Sequence, residues 1–340
     1  MLWYRPHGAG QERQEQTMDV IRGSEKIPES LKGAFVTIGN FDGVHLAHRF
    51  IFRKLVEEAR AAGRPAVAIS FAPHPKQVLH PEKRPFYLIT TEEEKIDLLA
   101  GLGLDAFILI PFSLEYARTT AAEFVQGILW EKLRCGRIVI GHDYTFGRGK
   151  EGNEAFLTEA GRRLGFDVEV IEAHCVGETV ISSTRIREAL LKGDVRLAGT
   201  LLGRPYNLRG PVVSGNRRGV KLGFPTANIA AEKELVPARG VYAVRVIRRG
   251  KRYAGVLNIG VNPTFADQRQ SIEVFILDFQ GDIYGESLEV LFVDRLREEV
   301  RFGSVDELIA QIGRDVGRAR EILGAAESAR TGESVAPCAE

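Results

Sequence analysis

Two histidines three residues apart, His45 and His48, sit in the run TIGNFDGVHLAHR, where an apolar strand pattern gives way to a helical one. Gly39, Asn40 and Phe41 open that turn. Glycines at such a place let backbone approach a phosphate, and the following helix N-terminus supplies free N–H groups and the positive end of a dipole. Spaced by three in a helical turn, the two imidazoles share one face. Beside a triphosphate they can donate hydrogen bonds to oxygens that gain charge during a phosphoryl-type transfer. A strand–turn–helix with two incidental histidines would look the same over so short a match. A second run, ISSTRIREAL, brings Ser182, Ser183, Thr184 and Arg187 to the start of another helix, a composition that suits an anion but also an ordinary serine cap. Two such runs at opposite ends of one domain are better explained by a nucleotide-phosphate site than by coincidence.

A different chemistry is written into GNRRGVKLGFPTANI. Gly215, Gly219 and Gly223 space a basic loop whose Arg217, Arg218 and Lys221 suit phosphate contact. Thr226 offers a hydroxyl and Asn228 an amide oxygen, the hard donors that Mg²⁺ takes alongside ATP phosphates and water. The Gly-Lys-Ser/Thr run of a Walker A loop is absent. Taken alone, the segment also reads as a solvated hairpin with a charged tip. Glu273 changes the balance: in IEVFILDF, alternation puts it on one strand face with Phe275, Leu277 and Phe279. A carboxylate on an apolar face is costly unless paired or functional, and one that is partly desolvated is a candidate general base for a hydroxyl nucleophile. A strand-end residue reaching solvent or an arginine is the plain alternative.

The elements that must hold these residues fall into two textures. Up to about residue 202, short apolar strands (FVTIGNF, AVAISFA, DAFILIPF, RIVIGHD, DVEVIEA) alternate with helical stretches, which predicts an α/β domain with a mainly parallel sheet and ligands beyond the strands' carboxyl ends. After Gly203, period-2 segments and Gly/Pro/Asn turns predict an antiparallel β-barrel, closed by a final amphipathic helix that starts at Ser304 with Glu307 completing a capping box. The reading is thus an α/β fold: a Rossmann-like domain over 18–202, then a barrel over 203–324. Residues 1–17 and 325–340 are polar and aperiodic and are expected to be disordered, with Met18 an alternative start.

A chain of 340 residues is long enough for two cores, and its net charge of +1 excludes a global attraction to nucleic acid or membrane. No apolar run is long enough to span a bilayer, the N-terminus lacks a secretory signal, and the cytoplasm is the expected compartment. Cys135, Cys175 and Cys338 show neither disulfide-framework nor metal spacing and are expected to be three unpaired thiols. Nothing in the sequence reports the oligomeric state.

GNFDGVHLAH resembles the HxGH signature of the nucleotidylyltransferases, and ISSTRIR resembles their second, phosphate-binding signature. FAPHP (71–75) and GHDYTFGRGKEG (141–152) resemble the flavin-adenylyltransferase domain of prokaryotic bifunctional riboflavin kinase/FAD synthetases. From Gly203 to about Leu323 the order LGFPTAN, GVYAV, LNIGVNPTF, EVFILDF, IYG and FGSVDELIAQI is similar to the riboflavin kinase barrel. The resemblance implies two ATP-dependent reactions, riboflavin to FMN and FMN to FAD with release of pyrophosphate, both using Mg²⁺. It implies nucleotide binding by His45, His48, Ser182, Ser183, Thr184 and Arg187. Asp143 falls where the family has a polar residue near the nucleotide or flavin; His74 falls either in a flavin-side loop or in a structural role between two prolines. In the kinase half it implies Glu273 as the base for the ribityl 5′-hydroxyl, with Thr226 and Asn228 organising Mg²⁺ and phosphates. Ala47 departs from the family, which usually has glycine against the adenine there. This motivates a second reading, a riboflavin kinase with a weakened nucleotidylyl domain. A flavin-storage protein without turnover is a third, and an aminoacyl-tRNA synthetase is disfavoured by the charge and the kinase half.

Overall fold

The structure, a computed structural model, describes residues 18–81, 86–215, 219, 222–261, 270–328 and 336–338. The expected disordered extension at residues 1–17 and the basic residues Arg217, Arg218 and Lys221 therefore lie outside the described residues. Contacts divide the chain into two compact units at Ile181/Ser182, with the segment around Cys338 belonging to the first.

In the first unit, β1 (Asp19–Arg22), β2 (Phe35–Ile38), β3 (Ala66–Ala72), β4 (Ala106–Pro111), β5 (Arg137–Gly141) and β6 (Asp167–Ile171) form one sheet in the order β1-β4-β3-β2-β5-β6. Every pairing in it is parallel. Helices cover both faces, as parallel sheets require. One face buries Val36, Ile69 and Ile138 against Phe124, Leu129 and Leu157. The other buries Ala68, Phe107 and Val139 against Phe52 and Leu55 of α1 (Leu46–Ala61) and Leu99 of α3 (Glu92–Ala100). Between β3 and α3 lies the short α2 (Pro75–Leu79). After β2 the chain winds outward through β3 and β4, then returns to place β5 on the other side of β2. The strand order reverses there, and that is where doubly wound sheets bind ligands. The polar edge strand β1, DVIR, has no apolar alternation and was not foreseen.

Two expectations need correction. Cys175 and Cys338 form a disulfide across a separation of 163 residues with a Cα–Cα distance of 5.0 Å, so only Cys135 is free, and it is buried. Beside that bond, the short β15 (Ala336–Pro337) pairs with β7 (His174–Val176), which also pairs with β8 (Thr179–Val180). The stretch after residue 325, expected to lack structure, thus carries a strand and, as described below, a helix end. Neither pairing leaves a local trace, because connectivity between distant cysteines cannot be deduced from spacing.

The second unit opens with α6 (Ser183–Lys192) and α7 (Val195–Leu202), the latter packed on β14. β9 (Asn207–Val213), β10 (Ala227–Ile229), β11 (Gly240–Arg248), β12 (Lys251–Val261), β13 (Gln270–Ile276) and β14 (Ser287–Arg297) close into an antiparallel barrel in the order β10-β13-β12-β11-β14-β9. Its interior is filled by Tyr206, Tyr242, Phe292, Leu257 and Val274, all nearly inaccessible. The last helix, α8 (Val305–Ser328), lies across β11, β12 and β14 and buries Ala319 and Leu323 against Val241, Ala243 and Val256. Ser304 caps it, accepting from the Glu307 N–H at 3.2 Å. The Glu307 carboxylate, however, reaches the Gly303 N–H at 2.9 Å instead of closing the expected box on Ser304.

Arg297 of β14 clamps α8 with a forked pair of bonds to the buried Asp315, at 3.0 Å from Nε and 2.8 Å from Nη2. Removing one partner of a buried pair leaves the other charge uncompensated, at a cost of about 3 kcal/mol or more. Asp315→Ala should therefore lower the melting temperature by several degrees despite alanine's better helix propensity, worth under about 1 kcal/mol. A melt unchanged from wild type would mean that the clamp adds no stability.

Candidate functional sites

The first site grows from the turn after β2. Three residues there, Phe41 (φ 48°), Gly43 (φ 85°) and Val44 (φ 41°), take left-handed backbone, two of them against the preference of their side chains. Such strain persists only where the surroundings enforce it, and it gathers at ligand sites. Here the surroundings are explicit. Buried Asp42 accepts from the Ile89 N–H at 3.1 Å, the Thr90 N–H at 3.2 Å and the Thr90 hydroxyl at 3.2 Å, while the Gly43 N–H donates to Thr90 Oγ1 at 3.1 Å. The Asn40 carbonyl accepts from Lys95 Nζ at 2.8 Å and Ser70 Oγ at 3.3 Å. Gly39 must be glycine, since a Cβ there would lie 2.8 Å from the Phe41 ring.

His45 caps α1: its Nδ1 accepts the His48 N–H at 3.3 Å, which leaves the proton of the neutral ring on Nε2. The two imidazoles stack at 3.5 Å, closer than their spacing in sequence required, and Phe41 meets the edge of His48 at 5.3 Å. Phe41 is otherwise a core side chain, packed on Phe52. Burial, then the neighbouring His45, then Lys95, hold His48 well below the ordinary imidazole value of 6.5. Its buried Nδ1 has no hydrogen-bond partner among the described residues. The pair thus sets two stacked imidazoles at a helix N-terminus, with His48 held toward its neutral form and its buried Nδ1 without a partner among the described residues.

Around it, Asp143 stands exposed just past β5, the other strand of the switch point. His74 caps α2, accepting from the Lys76 N–H at 3.1 Å and stacking on Phe86, so the structure gives it a local structural task. An aromatic cluster not singled out in the sequence, Phe71, Phe112, Tyr116, Phe124, Tyr144 and Phe146, lies at the carboxyl ends of β3, β4 and β5. Burial pushes the Tyr116 hydroxyl up to about 12 and raises that of Tyr144 further; neither finds a hydrogen-bond partner among the described residues. Ser182, Ser183, Thr184 and Arg187 head α6, where Ser182 Oγ accepts the Arg185 N–H at 3.2 Å. That helix clusters with the barrel unit.

The second site lies on one barrel face. Cross-strand register sets Glu273 opposite Asn228 on one side and Asn258 on the other. Thr226 Oγ1 donates to Glu273 Oε2 at 3.4 Å. Gly215 and Gly219 close in on the same residues: a Cβ at 215 would lie 2.1 Å from Asn228 Nδ2, and one at 219 would lie 2.2 Å from the Phe224 carbonyl and 3.3 Å from Thr226 Oγ1. Gly223 takes φ +83°. Close approach therefore requires glycine at 215 and 219, and the left-handed backbone favours it at 223. The account of the Glu273 face is corrected. The inward residues of β13 are Ile272, Val274 and Ile276, while Glu273 and Phe275 are half-buried on the opposite face. Leu277 and Phe279 lie past the strand end, where Asp278 turns left-handed (φ 54°). The carboxylate is thus beside polar neighbours at a partly open surface, and Asn258 joins the site without having been singled out.

Among the described residues, no three His, Cys, Asp or Glu side chains cluster as a metal site. The Thr226 hydroxyl and Asn228 amide are nonetheless the neutral oxygen donors that suit Mg²⁺ when phosphates and water complete its shell. No helix of the described residues is long and apolar enough to cross a membrane.

Together these features give a histidine-bearing turn at the switch point of a doubly wound α/β unit and a Glu–Thr–Asn cluster on a barrel face. Residues 27–185 match the family model of FAD synthetase, and residues 202–323 that of riboflavin kinase. The chain is 40% identical over 309 residues to the bifunctional riboflavin kinase/FMN adenylyltransferase of Escherichia coli strain K12, covering 90% of this chain and 98% of that one. It is 38% identical over 304 residues to the protein so named from Haemophilus influenzae, covering 89% and 98%. A crystal structure from Streptococcus pneumoniae described as a macrolide-efflux protein superposes with a TM-score of 0.81 at 34% identity, covering 89% of this chain and 99% of that one. The chain belongs to the bifunctional riboflavin kinase/FMN adenylyltransferase family.

Proposed function

We infer that the barrel phosphorylates riboflavin to FMN and that the α/β unit joins FMN to AMP from ATP, giving FAD and pyrophosphate. Both family models and the full-length relatives support two activities over a lone kinase or a storage protein. The functional limits proposed are 18–202 and 203–324, although α6 and α7 cluster with the barrel unit. The observation that supports the kinase assignment is the convergence of Glu273, Thr226, Asn228 and Asn258 beside Gly215 and Gly219. Glu273 takes the proton of the ribityl 5′-hydroxyl as that oxygen attacks the γ-phosphorus of ATP, and the bond to ADP breaks. Thr226 and Asn228 would hold Mg²⁺, which would supply charge neutralisation for the phosphates, and Gly215, Gly219, Lys221 and Gly223 would serve phosphate binding. Most of the rate then comes from alignment and charge neutralisation.

In the other half, an FMN phosphate oxygen attacks the α-phosphorus of ATP and pyrophosphate leaves, with no covalent enzyme intermediate. His45 and His48, together with the backbone at Gly39, Asn40 and Phe41, stabilise the charge that builds on the phosphate oxygens. Ser182, Ser183, Thr184 and Arg187 keep the phosphate-binding role their motif carries. The aromatic cluster of Phe71, Tyr116, Tyr144 and Phe146 offers a flat apolar wall for the flavin ring, with Asp143 a polar residue at its rim. Ala47, in the first turn of α1, then stands near the adenine. Use of ATP by both reactions fits a cytoplasmic setting.

Chromatography of products after incubation with riboflavin, ATP and Mg²⁺ tests this reading. FMN and then FAD should accumulate, and excess chelator should stop both. FMN without FAD would leave the kinase alone, and quenched flavin fluorescence without product would leave a binder.

A further inference from the structure

Lys95 plays no part in the assignments above, yet its side chain reaches the strained turn that carries the histidines. It projects from α3 with only 7% of its surface exposed, and its Nζ donates to the Asn40 carbonyl at 2.8 Å. A buried ammonium is costly unless an anion compensates it. Among the described residues Lys95 forms no ion pair, and its only hydrogen bond is to a neutral carbonyl. Asp42 and Glu92 favour its charge from a distance, but neither contacts it directly: Asp42 accepts from Ile89 and Thr90, and Glu92 pairs with Arg22. Burial accordingly lowers the Lys95 pKa, and its charge is one of the causes that keep His48 neutral. A buried ammonium with no carboxylate in direct contact among the described residues therefore holds the turn that leads to His48, whose Nδ1 is also buried and unpartnered. A polyanion would satisfy both.

We propose that Lys95 is a positioning residue of the adenylyl-transfer site, holding the Asn40 turn and presenting a buried charge, without a direct ion pair among the described residues, to the polyphosphate of ATP. This rests on the reading of the histidine turn as the FMN adenylyltransferase site. A purely structural Lys95 would only pin the Asn40 carbonyl, a task that any donor of similar length could share. Three variants separate the two roles. Lys95→Met removes charge and donor, Lys95→Gln keeps a donor without charge, and Lys95→Arg keeps both.

The measurement is steady-state FMN to FAD conversion in the full chain with FMN supplied directly, and the reverse reaction of FAD with inorganic pyrophosphate. Riboflavin phosphorylation and the melting temperature report that each variant is folded. Lys95→Met and Lys95→Gln should both raise KM for ATP and for pyrophosphate by about 10- to 100-fold, the loss expected for one charge-assisted contact. Turnover should change far less, and Lys95→Arg should recover most of the affinity. Wild-type KM values in Lys95→Met would overturn the proposal. So would recovery by Lys95→Gln, which would leave only the pinning role, or an equal loss in all three variants with a lowered melt. Absence of FAD formation in the wild-type chain would instead refute the site on which the proposal rests.

Discussion

Glu273→Gln should cut conversion of riboflavin to FMN by about 10²- to 10⁴-fold, the range for a positioned general base. Glutamine keeps the size of the side chain and an oxygen that can still accept from Thr226, which now donates to Glu273 Oε2 at 3.4 Å. The backbone pairing that sets Asn228 and Asn258 opposite it is also unaffected. The substitution therefore removes basicity with little else, and the loss should fall on kcat with KM for riboflavin nearly constant. Conversion of supplied FMN to FAD should be untouched. A folded Glu273→Gln protein with normal kinase turnover would remove the carboxylate from the mechanism. A loss of both activities would argue that the two halves turn over as one coupled site.

What could be read from the sequence differs between the two sites for physical reasons. The turn from Gly39 to His48 announces itself because backbone that approaches a phosphate needs glycine, and a helix N-terminus fixes where imidazoles point. The same holds for Gly215 and Gly219, whose hydrogens face Asn228 and Phe224 in the folded barrel. Glu273 was found for a partly mistaken reason. Alternation was carried past Ile276, where the left-handed Asp278 ends the strand, so the face assigned to it looked more apolar than it is. β10, three residues long inside the PTAN motif, is too short to show a period, though it closes the barrel and brings Asn228 beside Glu273. Lys95 and the Asp42–Thr90 bonds leave no signal at all, since they exist only after α3 docks beside β2 across some fifty residues of chain. The Cys175–Cys338 pair is the extreme case of the same kind.

For the other half, His48→Ala should lower FAD formation from FMN and ATP by about 10²- to 10³-fold, the loss seen when one preorganised donor to a developing charge is removed. The argument begins with protonation. Burial first, then His45 and Lys95, keep the ring neutral at pH 7, so it acts as a hydrogen-bond donor and not as a cation. Stacked on His45 at 3.5 Å and edged by Phe41 at 5.3 Å, it cannot swing to meet a ligand. Its contribution is therefore preorganised and belongs to the transition state more than to ATP binding. The loss should appear in kcat, in contrast to the KM effect expected at Lys95, and the two variants together separate charge-based binding from transition-state stabilisation. His48→Asn, which retains an amide donor on a shorter stem, should recover part of the rate. Removing His48 leaves the α1 cap on His45 without effect on its acceptor, since the bond is made by the residue-48 backbone N–H. Riboflavin phosphorylation should consequently proceed at the wild-type rate. If His48→Ala instead raised KM for ATP at constant turnover, the imidazole would be a ground-state phosphate contact and its transition-state role would be lost.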